Sequence, residues 1–139
     1  MKINYNKILK KNIINVLKEI LIIIEKDGLI SGHHLYVTFN TEVKKLILPD
    51  WLKKKYPKEM TIVIQHEYWN LKVLKDSFEI FLSFNEKKTK LNIPFNSIIS
   101  FADPYANFGL KINLEKITKK IEKKIYSTSN VIDFKKYKK

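Results

Sequence analysis

The apolar residues change their spacing at Gly28, and this change constrains the fold more than any other feature of the sequence. Before it, Ile13, Val16, Leu17, Ile20, Leu21 and Ile24 recur at steps of three and four. One face of an α-helix has that spacing, so residues 4–26 read as a single helix, with Gly28 as its stop. After Gly28 the pattern alternates. Leu35, Val37 and Phe39 are interleaved with Tyr36 and Thr38, and Phe78, Ile80, Leu82 and Phe84 define one face of a later segment. Alternation marks a half-buried strand. Short strands are expected in "HHLYVTFNT", "KLILP", "MTIVI", "WNLKV", "SFEIFLSF", "LNIPF" and "SIISFADP", with Pro94 at an edge or a bulge. Turns are expected at Lys75–Ser77 and in "EKKTK", and one or two helical turns in "PDWLKKKYP", capped by Asp50 and ended by Pro57. One long helix followed by short strands makes an α+β domain with an antiparallel, barrel-like, partly open sheet. Ile14, Ile22 and Ile23 lie off the helical stripe. Two readings stay open for them: deep burial within the domain, or a homodimer through this helix.

The length of 139 residues fits one domain plus a tail. No cysteine is present, which excludes disulfides and thiolate metal sites and suits a reducing cytoplasm. The apolar block "IINVLKEILIII" is broken by Lys18-Glu19 and is short of the ~20 residues that a membrane span needs, so a soluble protein without a membrane partner is expected. The net charge of +13 invites a nucleic-acid partner. All 27 basic residues are lysine, however, and arginine is the preferred fork for phosphate and guanine. Abundant Lys, Ile and Asn also suit an AT-rich genome.

Within "MTIVIQHEYWNLKV" the run Ile62-Val63-Ile64 is apolar on both faces, as in a buried strand. Gln65, His66 and Glu67 interrupt it, and Tyr68-Trp69 follow at once. This is the richest polar-aromatic cluster of the chain. An amide beside aromatic walls suits capture of an extended peptide, in which backbone bonds give affinity and pockets give selectivity. Tyr68 and Trp69 serve equally well as core residues of a small barrel. Catalysis has no constellation behind it. His66 and Glu67 are neighbours on opposite faces of a strand, and so are His33 and His34. The serines lack a nucleophile elbow, no carboxylate pair stands out, and there is no glycine-rich phosphate loop. No enzyme, metal or cofactor is expected.

Beyond Leu110 the chain changes character. Residues 111–139 carry ten lysines against Glu115, Glu122 and Asp133, a local net of +7. Leu114, Ile117, Ile121 and Ile125 form a thin helical stripe, too narrow to fold alone. "STSN" is a polar break, and "VIDFKKYKK" ends the chain with bulky apolar residues followed by lysines. A terminal segment of that kind suits a short peptide ligand for another protein.

The stretches "GHHLYVTFNT", "YPKEMTIVIQHEYWNLKV" and "FEIFLSFNEKKTKLNIPFNSIISFADPYANFGLKI" together resemble the stringent starvation protein B family, and in particular its alphaproteobacterial branch. The resemblance runs from the N-terminal helix to about Ile112, and "NVIDFKKYKK" is similar to the terminal motif of that branch. It implies a helix followed by an Sm-like, partly open β-barrel, a homodimer, and an adaptor rather than an enzyme. Members of the family bind the ssrA degradation tag of stalled translation products and tether the tagged protein to the ClpX unfoldase of the ClpXP protease. The resemblance divides the chain into a tag-binding domain at 1–112, a basic helix-prone linker at 113–129 and a ClpX-docking tail at 130–139. It makes Gln65 the first choice for hydrogen bonding the tag, with His66, Tyr68 and Trp69 shaping the groove and Phe39 and Phe84 as apolar walls. Val131, Ile132, Asp133 and Phe134 would dock on ClpX, with Lys135 and Lys136 as a basic rim. One departure stands out. In the family the docking motif hangs on a long, often acidic linker, whereas here the intervening segment is short and basic. The alternative function is a small basic RNA- or DNA-binding barrel.

Overall fold

An asparagine and a glycine bracket the long helix. The structure, a computed structural model, describes residues 2–29 and 31–112. The linker and docking tail expected at 113–129 and 130–139 fall outside the described residues. Helix α1 spans Tyr5–Asp27; the Asn4 side chain accepts a hydrogen bond from the Lys7 N–H at 3.0 Å, and the Gly28 N–H donates to the Ile24 carbonyl at 2.8 Å. Gly28 turns the chain with φ at 78°, a conformation open to glycine without steric cost. Ile13, Leu17, Leu21 and Ile24 are buried, as their spacing requires. Ile14 is partly buried against the core. Ile22 and Ile23 are 48% and 59% exposed, so deep burial within the domain does not account for those two.

Strands β1 (Leu35–Asn40), β2 (Glu59–Ile64), β6 (Ile98–Asp103) and β7 (Phe108–Lys111) make an antiparallel sheet in the order β2-β1-β6-β7. Strands β3 (Tyr68–Val73), β4 (Ser77–Phe84) and β5 (Lys87–Pro94) make a second, in the order β3-β4-β5. The expected α+β architecture is therefore what the chain forms, but the strands divide between two sheets that are not closed into a barrel. Their inner faces share one core: Leu35, Val37 and Phe39 of β1 and Ile62 and Ile64 of β2 join Phe78, Ile80 and Leu82 of β4 and Leu91 and Ile93 of β5. Pro94 is the last residue of an edge strand, where a missing N–H does no harm.

Helix α1 lies against β3. The Glu25 carboxylate accepts from the Val73 N–H at 3.2 Å, and the Lys18 ammonium donates to the Lys75 carbonyl at 2.9 Å and sits 4.9 Å above the Phe95 ring. Each contact ties the helix to the rim of the three-stranded sheet.

Several local expectations need correction. "KLILP" contributes a single bridge, Ile47 with Asn92, while Leu46 and Leu48 drop into the core. Helix α2 spans Asp50–Lys55; Asp50 is its first residue rather than its cap, and Pro49 occupies the cap position without a side-chain bond. The turn expected across "EKKTK" is confined to Asn85-Glu86, both at positive φ (51° and 65°), and β5 begins at Lys87. That is the backbone of a two-residue hairpin, disguised here because glycine is missing from its usual place. The "FGLK" segment pairs as β7, which no alternation announced. His33 and His34 precede β1 instead of lying on a strand. Finally, β2 is not buried on both faces: it is an edge strand whose Val63 is 36% exposed while Ile62 and Ile64 are buried.

Candidate functional site

The two sheets meet imperfectly, and the misfit leaves a groove. The chain leaves the first sheet at Ile64 and enters the second at Tyr68, so Gln65, His66 and Glu67 form the crossover. On one side stands β2, whose outer edge has no neighbouring strand. On the other stands β4, which outruns β3: Tyr68 pairs with Leu82, leaving Ser83 and Phe84 without a partner on that side. β5 pairs with them on the opposite side only, through Lys88 and Lys87. The resulting open groove has a volume of about 510 Å3 and is lined by Thr61, Ile62 and Val63, by Gln65, His66 and Glu67, and by Leu82, Ser83 and Phe84. Its base is apolar, since Ile62 and Leu82 belong to the core. Its rim is polar. A strand edge presents unpaired N–H and C=O groups, the template to which an extended peptide adds.

The structure separates the residues singled out by the sequence. Gln65, His66 and Phe84 line the groove together. Tyr68 instead packs against the core, and its hydroxyl accepts from the Leu29 N–H at 3.1 Å, which fastens the end of α1 to β3. Trp69 points to the opposite face of β3 and is 37% exposed, with the Lys88 ammonium 4.9 Å above its ring. Phe39 is fully buried. The docking residues Val131, Ile132, Asp133, Phe134, Lys135 and Lys136 lie outside the described residues. Sequence reasoning missed Trp51 of α2, whose ring meets Phe84 edge-on at 6.4 Å and is 43% exposed. It also missed Thr61 and Val63. A tryptophan in a short exposed helix is the one signal that pointed toward Trp51.

A second concavity, of about 580 Å3, lies between α1 and the β6–β7 end of the first sheet. It is mostly apolar, lined by Val16, Ile20, Ile23 and Phe108, with His33 and Asp103 at its margin. The His33 Nδ1 stands 2.6 Å from an Asp103 carboxylate oxygen, and the Tyr105 ring packs on His33 with centroids 4.6 Å apart. A Cβ at Gly32, where φ is 91°, would come within 3.1 Å of the Tyr105 ring. Burial by itself raises the Asp103 carboxyl, but the hydrogen bonds from His33 and from the Ala106 N–H, with the imidazole charge, outweigh it and hold the group below its ordinary value of 3.8. A carboxyl depressed by folding stabilises the fold above its unfolded value, and the benefit disappears as the pH falls through the depressed value. The expected result is that Asp103→Asn lowers stability above pH ~4 and that the gap to the wild type closes in more acidic solution. Denaturant titrations of both proteins across that range check it; a gap independent of pH would mean that Asp103 acts by packing alone.

Among the described residues, His33–Asp103 is the one imidazole–carboxylate pair, and no three His, Asp or Glu side chains are grouped as for a metal ion. No helix among the described residues is long and apolar enough to cross a membrane. The chain was also compared with known proteins. The family model for stringent starvation protein B matches residues 8–136.

The chain belongs to the stringent starvation protein B family. The match takes in all but the first three residues of α1, both sheets and most of the basic C-terminal segment, and it identifies the family rather than a branch of it. A comparison with curated proteins found no match. The "IQH" motif, one of the stretches on which the resemblance rests, sits where the chain passes from one sheet to the other.

Proposed function

We propose that the protein is a proteolytic adaptor in the cytoplasm. It holds the ssrA tag of stalled translation products in the groove between β2 and β4 and tethers the tagged protein to the ClpX unfoldase through residues 130–139. The observation that carries this proposal is the groove itself: a free strand edge, an apolar base and Gln65 and His66 at one rim. An extended tag lies along β2, exchanging backbone hydrogen bonds with it, while Gln65 supplies an amide able both to donate and to accept. Phe84, backed by Trp51, forms the apolar wall. No bond is made or broken; delivery improves because tethering raises the local concentration of substrate at the protease. Two copies associate through α1, whose Ile22 and Ile23 lie exposed beside the apolar concavity. A dimer carries two tails and gains avidity.

Fluorescence anisotropy with a labelled ssrA-tag peptide, and a scrambled peptide as control, tests the first half. Selective binding is expected. Gln65→Ala removes side-chain hydrogen bonds worth about 0.5–1.5 kcal/mol, so affinity should fall roughly threefold to tenfold with the melting temperature unchanged. Equal affinity in wild type and variant would remove Gln65 from the site. Equal binding of both peptides would leave the groove without this ligand.

A further inference from the structure

The groove takes only Ser83 from the solvent face of the three-stranded sheet, and the rest of that face is unusual. Trp69 of β3 and Phe81 of β4 are register partners, so both rings stand on the same side, away from the core that holds Ile80 and Leu82. Phe81 in turn faces Lys90, Ser83 faces Lys88, and Lys72 faces Glu79. The Lys88 ammonium lies 4.9 Å over Trp69 and 5.5 Å over Phe81. Among the described residues Lys88 has no carboxylate partner, whereas Lys90 reaches Glu79 at 3.6 Å. Side by side, then, the face presents two aromatic rings, three lysines and one acid. Neither packing nor the proposed tag site requires an aromatic pair in that position.

We infer that this face binds single-stranded nucleic acid. Adjacent rings on an antiparallel sheet make a stacking platform for successive bases, and lysines around them meet the phosphates. Trp69 and Phe81 each take one base. Lys88 leaves the ring faces as the bases arrive and moves onto the phosphate between them, with Lys72 and Lys90 on the flanking phosphates. Charge complementarity favours a polyanion, since the chain carries 27 lysines against 14 acidic residues. The face offers rings and ammonium groups but no guanidinium fork, and stacking with phosphate contacts tolerates every base, so the binding is blind to sequence. Planar rings, with Trp69 exposed and Phe81 half-buried beside it, suit bases better than the side chains of an acidic polypeptide.

The test uses the full-length chain and a labelled single-stranded oligouridine, followed by anisotropy at several salt concentrations. The basic residues beyond 112 are present in every variant, so the differences between variants report on the sheet face. Trp69→Ala is expected to weaken binding roughly tenfold, the cost of one lost base stack. Lys88→Ala is expected to flatten the logarithmic salt dependence by about 0.7, the share of one phosphate on a single strand. Melting curves establish that both variants are folded, and Trp69→Phe, which keeps an aromatic plane, restores most of the affinity. The inference is overturned if Trp69→Ala binds the oligonucleotide as the wild type does, because charge alone would then explain the binding. It is equally overturned by an absence of binding at low salt, or by a polyglutamate peptide that displaces the oligonucleotide and depends in the same way on Trp69.

Discussion

Replacing Phe39 with alanine is expected to destabilise the fold by about 3–5 kcal/mol. Phe39 is fully buried in β1, at the junction of β2 and β6, and its truncation leaves a cavity that rigid strands on both sides cannot fill. Against a total of about 5–15 kcal/mol for a natural domain, that is a loss large enough to unfold a marginal one. Urea denaturation measures it directly. The family resemblance makes the same residue a candidate groove wall, so the experiment separates two roles. If peptide affinity disappeared while the denaturation midpoint held, Phe39 would have to reach the ligand. The geometry predicts the opposite order, with stability lost first and binding lost only as a consequence. Phe84, half-buried at the groove and next to Trp51, is the wall that should alter binding more than stability.

Truncation after Asn130 should abolish adaptor activity and leave tag binding intact. Removing Val131, Ile132 and Phe134 takes away the apolar contacts proposed for ClpX, and with them the effective concentration that tethering supplies, a factor on the order of 10²–10⁴. Degradation of a tagged reporter by ClpXP, with full-length and truncated chains compared, gives the readout. The truncated chain should reduce the rate to that without adaptor, or below it, because it still sequesters tag. Continued acceleration would show that the tail is not the tether. The short linker sharpens the question of reach. Residues 113–129 are seventeen in number and span roughly 56 Å when extended at ~3.3 Å each, but only about 26 Å as a helix at ~1.5 Å each. Glycine and serine inserted after Ile112 would lengthen the tether without touching the folded domain, and should raise the rate if reach limits it.

Much of the fold was legible because its signals are local. The three-to-four spacing of Ile13, Leu17, Leu21 and Ile24 states which helix face is buried, whatever that face packs against. The alternation of Phe78, Ile80 and Leu82 does the same for β4. The glycine stop of α1 depends only on neighbouring residues. Where local signals were weak, expectation and structure part. β7 is four residues long and gains its identity from pairing with β6. The "KLILP" segment has strand-like residues but only one bridge, because β5 offers it a single point of contact.

The site was legible in part for the same reason. Gln65 and His66 were marked by a local interruption of an apolar run, and the structure places them in the groove with Phe84. The sequence could not show which of Tyr68 and Trp69 would meet the core and which the solvent. Adjacent strand residues point opposite ways by local geometry, but which face meets the core is decided by the pairing of β3 with β4 and by the helix beyond.

By itself, then, the sequence determined the long helix and its end, the strand-rich remainder, the buried face of most strands, and through its motifs the family. Those properties follow from spacing over a few residues. Only the tertiary structure decided that the strands form two sheets, that β2 has a free edge, and that β4 outruns β3 to leave Ser83 and Phe84 unpaired. The groove exists because two sheets of unequal strands were brought together, and that mismatch is a property of long-range pairing that no short stretch of the chain contains.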